Sequence, residues 1–213
     1  QNAVVNLSCW GESLLNPNLL KMIECILSYS GLSVFLETDG TLVTDDFCNE
    51  LSKIVNNASK RTNGFEKLMI SVSVDAFTSQ TYQKIHPDCS CSSVSNDFEK
   101  SVEAVSKLCA VLPNSVYPQF VRMNQNEEEL ESFFRYWNEK SNPSNGNLII
   151  QKYDDFAGLL PPCKPADLSP LERNVCWHLR RDFTILLNGD VPSCKICLFG
   201  QINGNVFESS LEE

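Results

Sequence analysis

Long apolar runs are missing from this 213-residue chain. No stretch approaches the ~18 apolar residues that a membrane-spanning helix requires, so none is expected to cross a bilayer as a helix. A basic face is also absent. Seventeen Lys and Arg stand against 27 Asp and Glu, a formal net charge of −10, and phosphate contacts need clustered cations, which excludes a nucleic-acid partner. Only two histidines occur, and neither His86 nor His178 has a Ser or Cys partner in the order of a hydrolase triad. There is no Gly-x-Gly-x-x-Gly and no phosphate loop, so dinucleotide and nucleoside triphosphate chemistry lack sequence support. The chain enters a strand-like run at once, without a signal peptide, and a cytoplasmic location is the expectation.

What is present is a regular alternation. Strand-like runs cover AVVNLSCW (3–10), LSVFLET (32–38), KLMISVSVD (67–75), VYPQFVRM (116–123) and NLIIQKY (147–153). Between them lie helical patterns. The first, 16–31, is read with Asn16 as N-cap, Pro17 at the first position and Gly31 at the C-cap. The others are 44–59 behind Thr44, a short 78–86, 97–112 and 127–140; the dense acidic run EEELE at 127–131 reads as a solvated face. Strand starts spaced by 29 to 49 residues give the rhythm of βα units with parallel strands. The Pro-rich GLLPPCKPADLSP (158–170) reads as a connection between domains, dividing the chain into 1–157 and 158–213.

The ten cysteines fall into groups. Cys9, Cys25, Cys48 and Cys109 sit among apolar residues and read as small core hydrophobes. Cys89 and Cys91 lie in a Ser-rich loop. Cys163, Cys176, Cys194 and Cys197 belong to the last 51 positions. There FTILL reads as one arm of a β-hairpin, Asn188-Gly189 as its turn and VPSC as the return arm, which folds Cys194 back towards Cys176. Three or four thiolates in such an arrangement suit an iron–sulfur cluster or zinc.

The spacing Cys176-x12-Gly189-x4-Cys194-x2-Cys197 resembles the opening of the SPASM segment found at the C-terminus of many radical S-adenosylmethionine enzymes. The strand ends resemble the same family. Gly11-Glu12 matches the centre of its Gly-Gly-Glu-Pro, Thr38-Asp39-Gly40 its Thr-Asn-Gly, and Ser73-Val74-Asp75 its Ser-x-Asp-Gly. Trp10, Ser13, Asp39 and Ala76 are departures from those patterns.

The resemblance implies an α/β fold: a partial (β/α)6 TIM-like barrel lacking its first strand, followed by a small Cys-bearing β-hairpin domain. Gly11 and Glu12 would meet the amino group of S-adenosylmethionine. Thr38, Asp39, Ser73 and Asp75 would line the rest of that cofactor, and Arg122 would take its carboxylate. Cys176, Cys194 and Cys197, with Cys163 as a fourth ligand, would hold one auxiliary 4Fe–4S cluster or zinc. The family's radical 4Fe–4S cluster is bound by Cys-x3-Cys-x2-Cys, a spacing absent here. The chain is therefore expected to be a fragment that is inactive alone and self-associates through its open sheet edge. The intact enzyme would cleave S-adenosylmethionine and abstract hydrogen from a peptide, protein or small-molecule substrate. The alternative is a non-enzymatic α/β binding module with a structural four-cysteine zinc site.

Overall fold

The three central apolar runs, 32–38, 68–73 and 116–122, place alternate side chains into one shared core, and that parity fixes the architecture. The computed structural model describes residues 2–8, 10–86, 96–156, 158–165, 176–196 and 200–210. Strands β1 (Ala3–Asn6), β2 (Leu32–Thr38), β3 (Leu68–Ser73), β4 (Val116–Arg122) and β5 (Ile149–Lys152) form one sheet in that order. All neighbours are parallel, with Val34 beside Leu68, Ile70 beside Val116 and Gln119 beside Ile149. The strand order never reverses, which is barrel winding rather than the doubly wound arrangement with its switch point. The five strands and their helices form the curled arc of a partial TIM-like barrel.

Helices α1 (Leu19–Leu27), α2 (Asp45–Asn57), α3 (Ser79–Ile85), α4 (Asp97–Val111) and α5 (Leu130–Trp137) connect the strands. Val34, Leu36, Ile70, Val72, Val116 and Phe120 point to the helix side. There they are buried with Ile23, Leu51, Leu108 and Phe133. The opposite parity mixes Phe35, Met69, Tyr117 and Val121 with a polar cluster in which Ser71 donates to Gln119 Oε1 at 2.9 Å and Gln119 Nε2 donates to Ser73 at 3.4 Å. Closed barrels fill this side with bulky aliphatics; here Ser71, Ser73 and Gln119 place a hydrogen-bonded polar cluster among them.

Three local expectations are corrected. Helix α1 begins at Leu19, because Asn16 accepts the N–H of Asn18 at 2.9 Å and forms a turn before the helix rather than capping it. It ends with Ser28 as C-cap, three residues short of Gly31. Cys25 is exposed, on the face of α1 opposite Ile23 and Leu27, while Cys48 is buried and Cys109 half-buried. Cys9, Cys89 and Cys91 lie outside the described residues. Thr44 does cap α2, accepting the N–H of Phe47 at 3.1 Å.

The chain separates into two compact units, Gln1–Tyr153 with Cys163–Pro165, and Asp154–Pro162 with Ala166–Glu213. The second contains α6 (Trp177–Arg181), β6 (Asp190–Pro192) and β7 (Ile202–Asn205), the two strands pairing antiparallel. The hairpin's partner strand is thus β7, not FTILL. Leu186 N–H donates to the Asp190 carbonyl at 2.9 Å and closes the Asn188-Gly189 turn, but Phe183 and Ile185 stay exposed and outside either strand of this sheet. Gly189 is required in that turn: its φ is +85°, and a Cβ would overlap the Phe207 ring and lie 2.7 Å from Asn205 Oδ1. Among the described residues no helix is long and apolar enough to cross a membrane.

Candidate functional site

In a parallel barrel the carboxyl ends of the strands carry the adaptable loops. After β1 the backbone turns at Gly11 with φ +81°, and a Cβ there would meet nothing within 4 Å, so open space lies above it. Glu12 follows, and its two oxygens join two loops: Oε1 accepts the N–H of Leu14 at 2.8 Å and Oε2 the N–H of Asp39 at 2.9 Å. Each carboxylate oxygen has a second acceptor direction, so a cation can still be received. Beneath it the hydroxyls of Ser8 and Ser13 lie 3.0 Å apart, and both reach the Glu37 carbonyl at 3.2 Å. Ser13, a departure from the family pattern, therefore ties the loop to β2.

After β2, Thr38 is buried and its hydroxyl accepts the N–H of Gly40 at 3.0 Å. Asp39 is turned onto its own loop, where Oδ1 accepts both the N–H and the hydroxyl of Thr41 at 2.7 Å. Gly40 has φ +82° and packs on α4: a Cβ would lie 2.9 Å from Ala104 Cβ and 3.2 Å from Ser101 Cα. Glu12 is thus joined to Asp39 by a direct hydrogen bond, while the neighbouring Thr38 braces the same loop through Gly40.

After β3 the chain enters a left-handed conformation at Asp75, φ +53°. Asp75 is 6% exposed, and its Oδ1 accepts the N–H of Val121 at 2.6 Å, extending the β3–β4 ladder with a side chain. Burial pushes its carboxyl up to about 7, against the Val121 N–H, which favours the charged form. Ser73, two residues earlier, is engaged by Gln119 on the concave side.

Arg122 shares the parity of Phe120, whose ring packs on Phe133 of α5. Its Nε and Nη2 both donate to the carboxylate of Glu127, which also holds its pKa above the ordinary value. The fork predicted for a cofactor carboxylate is therefore filled by an internal one.

Residues missed by the sequence reading hold these loops in place. Asn126 is buried; its Nδ2 donates to the carbonyls of Asp75 and Val121 at 2.8 Å, and its Oδ1 accepts the N–H of Met123 at 2.7 Å. Glu129 accepts from the N–H groups of Phe77 and Thr78 and from the hydroxyls of Thr78 and Thr81 at the start of α3. Burial raises its carboxyl, but these four bonds outweigh it and hold it below the usual range. So the run 127–131 is a solvated face only in part: Glu128 and Glu131 are exposed, while Glu127 and Glu129 clamp the end of β4 and the start of α3. The acids' position directly after a strand end was the available signal.

Cys163 belongs with the barrel unit, where its carbonyl accepts from Asn124 N–H at 2.9 Å and its sulfur from Gln125 Nε2 at 3.4 Å. Cys176 is exposed at the start of α6, Cys194 is half-buried after β6, and Cys197 lies outside the described residues. Among the described residues no group of three His, Cys, Asp or Glu side chains is placed to hold a metal ion. His178 gives its Nδ1 to Asp182 one turn later on the same short helix. His86 caps the end of α3 with its ring 4.5 Å from Tyr82, and burial lowers its pKa.

No family model matches the chain. It is 37% identical over its whole length to an uncharacterized protein of Treponema pallidum (strain Nichols), of which it spans 57%. Among solved structures, hexahistidine-tagged anSMEcpe with bound AdoMet is similar at a TM-score of 0.61 and 14% identity, over 99% of this chain and 62% of that one. Native anSMEcpe with bound AdoMet is similar at 0.53 and 15%, over 85% and 56%. The shared property is the fold. In both comparisons this chain matches only part of a longer partner.

Proposed function

We propose that this chain is the greater part of a radical S-adenosylmethionine oxidoreductase. In this reading the mouth of the half-barrel binds S-adenosylmethionine through Gly11, Glu12, Thr38, Asp39 and Ser73. The observation that carries the reading is the Gly11–Glu12 corner. A carboxylate with spare acceptor capacity stands beside open space at the end of a barrel strand, in a fold similar over 99% of the chain to a structure holding AdoMet. An ammonium suits that carboxylate as a charge-assisted partner, and the glycine leaves room for the ligand backbone. Asp75 acts behind this surface by joining β3 to β4, and Arg122 meets a ligand carboxylate only by exchanging Glu127.

A 4Fe–4S cluster would be held by Cys-x3-Cys-x2-Cys residues that this sequence does not contain, and would supply reducing electrons for hydrogen abstraction from a peptide or small-molecule substrate. This chain's residues hold and orient S-adenosylmethionine. Cys176, Cys194 and Cys197 are proposed as thiolate ligands of an auxiliary iron–sulfur cluster or zinc; Cys163, held by Asn124 and Gln125, fits that set least well. The test is anaerobic iron and sulfide reconstitution of the longer gene product, followed by dithionite. 5′-Deoxyadenosine release with bound iron supports the reading. Stoichiometric zinc without cleavage of S-adenosylmethionine overturns it in favour of a structural zinc module.

A further inference from the structure

Of the two histidines in the chain, His86 stands at the end of a run of contacts that leads into the proposed cofactor site. It closes α3, and its Nε2 is buried with no hydrogen-bond partner among the described residues. A buried polar atom left so is costly, and native structures keep few of them. The imidazole lies tilted against the Tyr82 ring at 4.5 Å. Tyr82 is itself buried, with its hydroxyl 3.3 Å from Ser101 Oγ on α4, and Ser101 donates to the Asp39 carbonyl at 2.5 Å. The Asp39 N–H in turn donates to Glu12 Oε2 at 2.9 Å. Imidazole and Glu12 carboxylate are thus joined through Tyr82, Ser101 and the loop after β2.

The two ends are also joined by charge. Among the described residues the charges acting on His86 are Asp39, from the loop after β2, and Asp97, in the first turn of α4, where Lys100 pairs with Asp97 at 2.9 Å. Burial disfavours the imidazolium and outweighs the pull of both carboxylates. A second proton would make both ring nitrogens donors, and Nε2 has no acceptor to meet it. S-adenosylmethionine carries an ammonium and a sulfonium, so its arrival beside Glu12 and Asp39 offsets part of the field that favours the imidazolium. We propose that His86 is a positioning residue for the Asp39 loop, acting through Tyr82 and Ser101, and that a proton on its ring and the cationic ligand oppose each other. The inference rests on the S-adenosylmethionine reading and adds to it a proton-linked residue outside the ligand contacts.

The test is a pH titration of the full chain labelled with carbon-13 at histidine Cε1, followed by NMR. Two signals are expected, and His178→Gln assigns them. Saturating S-adenosylmethionine should lower the His86 midpoint by at least about 0.3 pH, the least expected of a unit charge within about 10 Å. The His178 midpoint should stay in place, and saturating 5′-methylthioadenosine, which is uncharged, should leave both unchanged. By reciprocity S-adenosylmethionine should bind at least about twofold more weakly below the His86 midpoint than above it. His86→Gln should abolish that part of the pH dependence, and Tyr82→Phe should weaken binding at neutral pH. Bound S-adenosylmethionine with an unmoved or raised His86 midpoint overturns this inference and leaves the binding reading standing. An equal shift with 5′-methylthioadenosine overturns its electrostatic basis, and absence of S-adenosylmethionine binding overturns both readings together.

Discussion

Asp75→Asn should remove the pH dependence that this one buried carboxyl imposes on stability. The native carboxyl titrates at about 7 because it is buried, against 3.8 for a free aspartate. The folded state therefore binds this proton more tightly than the unfolded state. Its stabilising contribution is complete below the unfolded value and is lost as pH rises through the folded one. The gap corresponds to about 4 kcal/mol in total, of which roughly 2–3 kcal/mol falls between pH 5 and pH 8. Asparagine retains the acceptor that Val121 N–H uses and tolerates the left-handed backbone, but it carries no proton to lose. Urea unfolding followed by tryptophan fluorescence near pH 5 and near pH 8 gives the stability difference between the two proteins at each pH. The variant should gain about 2–3 kcal/mol on the wild type between the two conditions. A difference that stays constant within about 0.5 kcal/mol would mean that Asp75 is not desolvated as described, and the account of the β3–β4 junction would fail.

Gly40→Ala should cost about 3 kcal/mol, combining a left-handed backbone penalty with a Cβ 2.9 Å from Ala104, read as a lowered urea midpoint. Glu129→Gln should destabilise by about 1–3 kcal/mol near neutral pH through loss of charged hydrogen bonds at α3. It should also flatten the acid limb, because a carboxyl held below its usual range contributes stability above that range and loses it as pH falls. Cys194→Ser should lower the metal retained after reconstitution, whereas Cys163→Ser should leave it unchanged; equal losses by metal analysis would return Cys163 to the ligand set. The uncovered edge of β1 in the five-stranded sheet should make the chain self-associate, and a clean monomer in sedimentation would contradict this.

The parallel sheet was legible because Val34 to Leu36, Leu68 to Val72 and Val116 to Phe120 are dense apolar runs at βα spacing, and Thr44 marked a helix start by its own chemistry. Short-range competition hid the rest. Asn16 and Pro17 look like a helix cap, but the Asn16 side chain is satisfied by a turn. FTILL has strand composition, yet β6 takes Ile202–Asn205 as its partner, a choice that local propensity does not contain. The strand-end residues Glu12, Asp39 and Asp75 could be named from a motif, but not their partners. That Glu12 joins Leu14 to Asp39, that Asn126 stitches β3 to β4 and that Glu127 fills Arg122 are all results of loop packing.

The central claim is that the Gly11–Glu12 corner recognises the methionine end of S-adenosylmethionine. Titration calorimetry of this chain with S-adenosylmethionine and with 5′-methylthioadenosine tests it most directly, since the second ligand lacks the ammonium and the carboxylate. Binding at least about tenfold tighter for S-adenosylmethionine is predicted, the worth of one charge-assisted hydrogen bond. Equal affinity for the two ligands, or no binding of either, would contradict it.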